Sequence, residues 1–143
     1  MSEEDRYASI LRSVLEELLG SSALKVLEYQ LSKSYPGTSP YKLLLRDPQL
    51  YYNALTSIFG NEGSLIFLKL ILKRLITRSG TTTIDPDTLA RSLIRGEKDA
   101  INTLIQTLEK VANFRDEANL KIIETPQVLK EAERWKGMGV GGN

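Results

Sequence analysis

Four cations crowd one stretch of an otherwise charge-balanced chain. Lys69, Lys73, Arg74 and Arg78 all lie between Glu62 and Asp85, with no acidic residue among them. Cations fanned around one helix end can meet a phosphate backbone, so this stretch is the candidate for nucleic-acid binding. Cations in a last helical turn also complement the helix dipole, and long basic stems run off a buried helix into water. The plainer reading is favoured by overall charge. DNA readers usually carry net positive charge, whereas here 19 basic residues face 18 acidic ones.

Six tyrosines fall within the first 52 residues: Tyr7, Tyr29, Tyr35, Tyr41, Tyr51 and Tyr52. Such rings can stack single-stranded bases or anchor a protein partner. Tyr29 and Tyr51 lie in apolar phase with their helices, which points to the core instead. Options for catalysis are few. The chain has no cysteine and no histidine, which excludes disulfides, thiol nucleophiles, Cys/His zinc sites and a Ser-His-Asp triad. Asp85 and Asp87 adjoin a helix start, where Asp85 has a capping role. Glu131 and Glu133 point to different faces of a helix. No glycine-rich loop precedes a Lys-Ser or Lys-Thr pair, and the Gly137–Asn143 tail lacks a preceding strand. The expectation is a non-enzyme with no catalytic residue, no cofactor and no metal.

The elements that must position these residues are helices. The chain holds 23 Leu and 11 Ile against 5 Val, a balance that suits helices over strands. Four of the five prolines follow a residue able to cap a helix: Ser39-Pro40, Asp47-Pro48, Asp85-Pro86 and Thr125-Pro126. Gly20, Gly60 and Gly80 each follow a periodic apolar segment and supply stops. The pattern predicts helices from about Glu3 to Leu19, from a Ser21 or Ser22 cap to Ser34, and from Pro40 to Leu45. The next starts at Asp47, with Leu50, Tyr51, Ala54, Leu55, Ile58 and Phe59 inward. Asn61 or Ser64 then opens a helix to Arg78 that is apolar on most sides and belongs at the centre. Beyond the Thr81–Ile84 linker come helices from Pro86 to Arg95, from Glu97 onward, and from Pro126 to Trp135.

Ile101, Leu104, Leu108 and Val111 follow a 3-4-3 spacing, the pattern of a dimer seam or of an intramolecular packing stripe. Trp135, the single tryptophan, sits before a glycine-rich tail and either docks on a partner or closes the bundle. The acidic N-terminus lacks the apolar core of a signal peptide. No apolar run approaches bilayer length, so the expected location is cytoplasmic with no membrane contact.

From Leu24 to Arg78 the chain resembles the Nitrosopumilus-type output domain, a small archaeal family. The features in common are Leu27-Glu28-Tyr29, a turn with a short helix, and the run Asp47-Pro48-Gln49-Leu50-Tyr51-Tyr52-Asn53-Ala54-Leu55. The Ile58-Phe59-Gly60 stop and an apolar helix ending in basic residues, Ile66 to Arg78, complete them. The resemblance implies a compact all-helical module, found alone or joined to signalling proteins, without established catalytic residues.

Taken together, the sequence predicts an all-α irregular or orthogonal helical bundle of about seven or eight helices. Residues 1–80 form a compact domain, 85–136 a helical extension packed on it or on a second copy, and 137–143 a flexible tail. The expected function is a regulatory interaction module acting through protein–protein contacts. It self-associates through Ile101, Leu104, Leu108 and Val111, with Trp135 as a docking residue. The alternative is a nucleic-acid-binding regulator using Lys69, Lys73, Arg74 and Arg78.

Overall fold

A computed structural model describes residues 2–114, and among these every regular element is a helix. In α1 (Glu3–Leu19), the Ser2 hydroxyl accepts from the Asp5 N–H at 3.1 Å, and Glu3, Glu4 and Asp5 occupy the first turn. Carboxylates there face the positive end of the helix dipole. Gly20, at φ 84°, ends α1 and leads directly into α2 (Ser21–Ser34). The serine cap expected for α2 does not form. Gly20 takes the cap position, no side chain bonds there, and Ser21 is already helical.

Proline opens each of α3 (Pro40–Arg46), α4 (Pro48–Ser79) and α5 (Pro86–Ile94). At this position the missing N–H would have had no intrahelical partner. Asp47 Oδ1 accepts from the Leu50 N–H at 3.2 Å and Asp85 Oδ2 from the Thr88 N–H at 2.9 Å, whereas Ser39 makes no cap bond. The last helix among the described residues, α6, spans residues 98–114.

Six helices are present among the described residues, where the sequence predicts seven or eight. At Gly60 the backbone is non-helical, φ 75° and ψ 176°, so the stop expected there is present as a kink between two helical segments that follow each other without a loop. The Tyr52 hydroxyl reaches across the bend and donates to the Asn61 carbonyl at 2.9 Å. Pro48–Ser79 counted across this kink is long and apolar enough, by length and composition alone, to cross a membrane. The sequence pattern divides this stretch at Gly60 and so predicts no such length. The helix expected from Pro126 lies outside the described residues.

α4 is the wall of the bundle, and α1, α2, α3 and α5 all pack on it. Its Tyr51, Leu55, Leu68, Leu72 and Leu75 are buried with Leu11 and Leu15 of α1, Leu24 of α2, Leu44 of α3, Leu93 of α5 and Leu104 of α6 in one core. The chain up to Ala112 is one compact unit. The stretch from Asp85 to Ala112 therefore belongs to the same core as residues 1–80. The remainder of the expected extension and the 137–143 tail lie outside the described residues.

Polar contacts tie the first three helices at their rims. The Tyr41 hydroxyl donates to Glu28 Oε2 at 2.6 Å, and Arg12 Nε donates to the same oxygen at 3.3 Å, so α1, α2 and α3 meet at one carboxylate. Burial, then this bond, pushes the Tyr41 hydroxyl pKa up. Arg46 and Lys42 of α3 pair with Glu4 and Asp5 of α1 at 2.6 and 2.7 Å.

This packing generates two predictions. The Tyr51 hydroxyl is buried with no hydrogen-bond partner among the described residues, and such a group costs about 1–3 kcal/mol of desolvation. Tyr51→Phe should therefore leave urea stability unchanged or raise it by up to about 1 kcal/mol; a clear loss would show that the hydroxyl is bonded. The second concerns acid. The carboxyls of Glu4, Asp5, Asp85 and Asp87 are held below their ordinary values, chiefly by hydrogen bonds from Arg46, Lys42, Thr88 and Lys69 respectively. Their contribution is present above the pKa of the unfolded chain and is lost as pH falls through the folded values. The thermal midpoint should be level from about pH 5 to 8 and fall below about pH 4. A midpoint that rises on acidification would contradict this.

Candidate functional site

The stripe expected to form a dimer seam is used inside the chain. Leu104 and Leu108 have 0% exposure, Val111 is buried, and Ile101 is half-buried against the same core. A 3-4-3 spacing serves an intramolecular stripe as well as a coiled coil, and here α6 needs it to join the bundle. Leu104, Leu108 and Val111 are thus taken up by the chain's own core, and Ile101 alone of the four is partly accessible. Trp135 lies outside the described residues.

The tyrosines divide by burial. Tyr7, Tyr41 and Tyr51 are core residues, whereas Tyr29, expected inside, is 62% exposed. The Lys33 ammonium sits 5.3 Å from the Tyr29 ring centroid. Val26, one turn earlier on α2, is exposed beside it.

Three of the four clustered cations have carboxylate partners from other helices. Lys69 meets Asp87 of α5 at 3.0 Å. Arg74 meets Glu17 of α1 at 3.1 Å, and Arg78 bonds the other oxygen of the same carboxylate. Of the four, Lys73 alone has no ion pair among the described residues. A phosphate approaching this helix end would have to compete with Glu17.

The carboxylates considered for chemistry are engaged as well. Asp85 Oδ2 accepts from both the Thr88 N–H and the Thr88 hydroxyl, the latter at 2.7 Å. Asp87 is shared between Lys69 and Arg91. Both carboxyls are held low, so neither is set up to donate a proton near neutral pH. A groove of about 390 Å³ runs between the 81–85 connection, α5 and α6, lined by hydroxyls such as Thr83, Ser92 and Thr103 beside Asp99. Among the described residues no group of three or more His, Cys, Asp or Glu side chains could hold a metal ion. Glu131 and Glu133 lie outside the described residues.

The feature that sequence reading missed is on α4 itself. Beyond the Gly60 bend, Glu62, Gly63, Ile66, Leu70, Lys73 and Thr77 fall within an arc of about 100°. This arc faces solvent: Ile66 is 57% exposed and Leu70 46%, opposite the half of the helix that carries the buried Ser64, Phe67, Leu68, Ile71, Leu72, Leu75 and Ile76. Phe59, expected inward with Leu50 and Ile58, is exposed as they are. Its ring lies 5.3 Å from that of Phe67. A Cβ on Gly63 would come within 3.1 Å of the Phe59 Cβ, so a glycine there lets the phenylalanine lie close. The signal was available: positions 63, 66, 70, 73 and 77 repeat at 3-4-3-4 spacing. It was hidden because the whole helix reads as apolar and hence as central.

No family model matches the chain, and no curated protein or solved structure matches it either.

The double ion pair at Glu17 is exposed, and exposed pairs contribute about 0–1 kcal/mol. Glu17→Gln should accordingly lower the unfolding free energy by less than about 1 kcal/mol in urea titrations. A loss of several kcal/mol would mean that this carboxylate anchors α1 to α4.

Proposed function

We propose that this chain is a non-enzymatic, regulatory helical interaction module that acts through protein–protein contacts, and that its contact is with a second copy of itself. One observation carries the reading. Beyond Gly60, α4 is buried along about half of its circumference, and on the opposite side it presents Ile66 and Leu70 to water one turn apart. Partner helices dock on such faces by their i, i+3, i+4 and i+7 anchors. Self-association is thereby assigned to α4, since Leu104 and Leu108 are committed to the core. The resemblance of residues 24–78 to the Nitrosopumilus-type output domain supports the regulatory role and an archaeal, cytoplasmic setting. That support is by analogy with a fold rather than with a site.

A nucleic-acid-binding regulator is the second reading, favoured by the exposed neighbours Lys73 and Arg74 on α4. It ranks lower because Glu17 and Asp87 already neutralise Arg74, Arg78 and Lys69.

Sedimentation velocity across a micromolar concentration series separates these readings. The wild-type chain should self-associate, and Leu70→Asp should be monomeric with an unchanged helical circular dichroism spectrum. Leu104→Asp should instead unfold the chain, because it buries an unpaired charge at a cost of several kcal/mol. Labelled random duplex DNA should show no salt-sensitive binding at low ionic strength. A wild-type monomer at all concentrations, together with steeply salt-dependent DNA binding, would exchange the first reading for the second.

A further inference from the structure

Resting on the self-association reading above, we infer that two copies pair their α4 helices antiparallel about a two-fold axis at the level of Leu68, with Glu62 of each copy facing the Lys73 end of the other. The charges along the ridge dictate the direction. Glu62 stands at one end of the Ile66–Leu70 pair and Lys73 at the other, both are exposed, and neither has an ion pair among the described residues. A two-fold interface must be self-complementary, because the same patch occurs on both sides. Parallel pairing would set Glu62 against Glu62 and Lys73 against Lys73. Antiparallel pairing about Leu68 sets Ile66 opposite Leu70, Gly63 opposite Lys73 and Glu62 opposite Arg74.

Each of these matches has a physical use. Ile66 and Leu70 fill the middle of the contact from both copies, and pairing takes the apolar part of this ridge out of water. Gly63 has no side chain, so the four-carbon stem of Lys73 can lie across it while the ammonium reaches toward Glu62. Arg74 is already held by Glu17 at 3.1 Å, which leaves Lys73 as the cation free to cross. Opposite charges at both ends of a short apolar contact fix register and orientation more than they add affinity.

The chain has no cysteine, so single introduced thiols report the register without background. A disulfide needs Cα atoms within about 7 Å. Under mild oxidation, an equimolar mixture of Ile66→Cys and Leu70→Cys chains should give a mixed dimer at least about tenfold faster than either variant couples with itself. Charge reversal supplies the second readout. Glu62→Lys and Lys73→Glu should each weaken self-association about fivefold, and the chain carrying both reversals should recover it. All four positions are exposed, and circular dichroism checks that each variant folds. A wild-type chain that is monomeric throughout would overturn the underlying reading of the α4 face. A dimer that Leu70→Asp dissociates would leave that reading standing. If in that dimer two Ile66→Cys chains couple with each other as fast as the mixture does, or the double reversal fails to restore association, the antiparallel register alone is overturned.

Discussion

The burial of α4 is the constraint on which the other helices depend. An ordinary surface helix hides one stripe of about 100° and leaves the rest to water. α4 instead takes α1, α2, α3 and α5 against it, and beyond Gly60 its buried residues span about half of the circumference. Each fully buried Leu or Ile on it contributes about 1.5–3 kcal/mol relative to exposure, and Leu55, Leu68, Ile71, Leu72 and Leu75 all qualify. The surrounding helices are short and bury fewer side chains, as with Leu24, Leu27 and Leu31 of α2. Their faces have meaning only against this wall. A wall of this kind has one side left over, and on α4 that side carries Ile66 and Leu70.

Charge settles the rim of the bundle after apolar packing has built its interior. Glu4 and Asp5 meet Arg46 and Lys42, Glu17 meets Arg74 and Arg78, and Asp87 meets Lys69 and Arg91. All are solvent-accessible pairs of small individual worth. Their effect is on orientation and on the surface field. They fix which turn of α1 faces which turn of α3 and α4. Of the four cations that run together in the sequence, they leave only Lys73 without a carboxylate among the described residues.

Much of the helix pattern was legible because its signals are local. The bounds of α1 follow from Ser2, three acidic residues and Gly20, and the starts of α4 and α5 from Asp-Pro pairs. What the sequence could not convey was which apolar stripe faces which neighbour. The α6 stripe of Leu104 and Leu108 and the α4 ridge of Ile66 and Leu70 share one spacing rule, yet one is buried and the other wet. Nothing in either stripe records how many helices surround it. Tyr29 has a simpler reason: at 100° per residue it lies about 140–160° from the buried Leu24, Leu27 and Leu31, on the far side of α2. The partners of Arg74 and Arg78 lie 57 and 61 residues away in the chain, beyond any local pattern. Gly60 does mark a break, but a glycine at positive φ can bend a helix as well as end it.

The position of α4 along the chain has a consequence for synthesis. α1, α2 and α3 leave the ribosome first, while the wall that covers their apolar faces is encoded by Pro48–Ser79. At roughly 5–20 residues per second, translating those 32 residues takes about two to six seconds. Throughout that interval Leu11, Leu15, Leu24, Leu31 and Leu44 have only one another for shelter. The packing of α1, α2 and α3 against α4 therefore has to wait until residue 79 has been added, and a pause in translation before that point would prolong the wait.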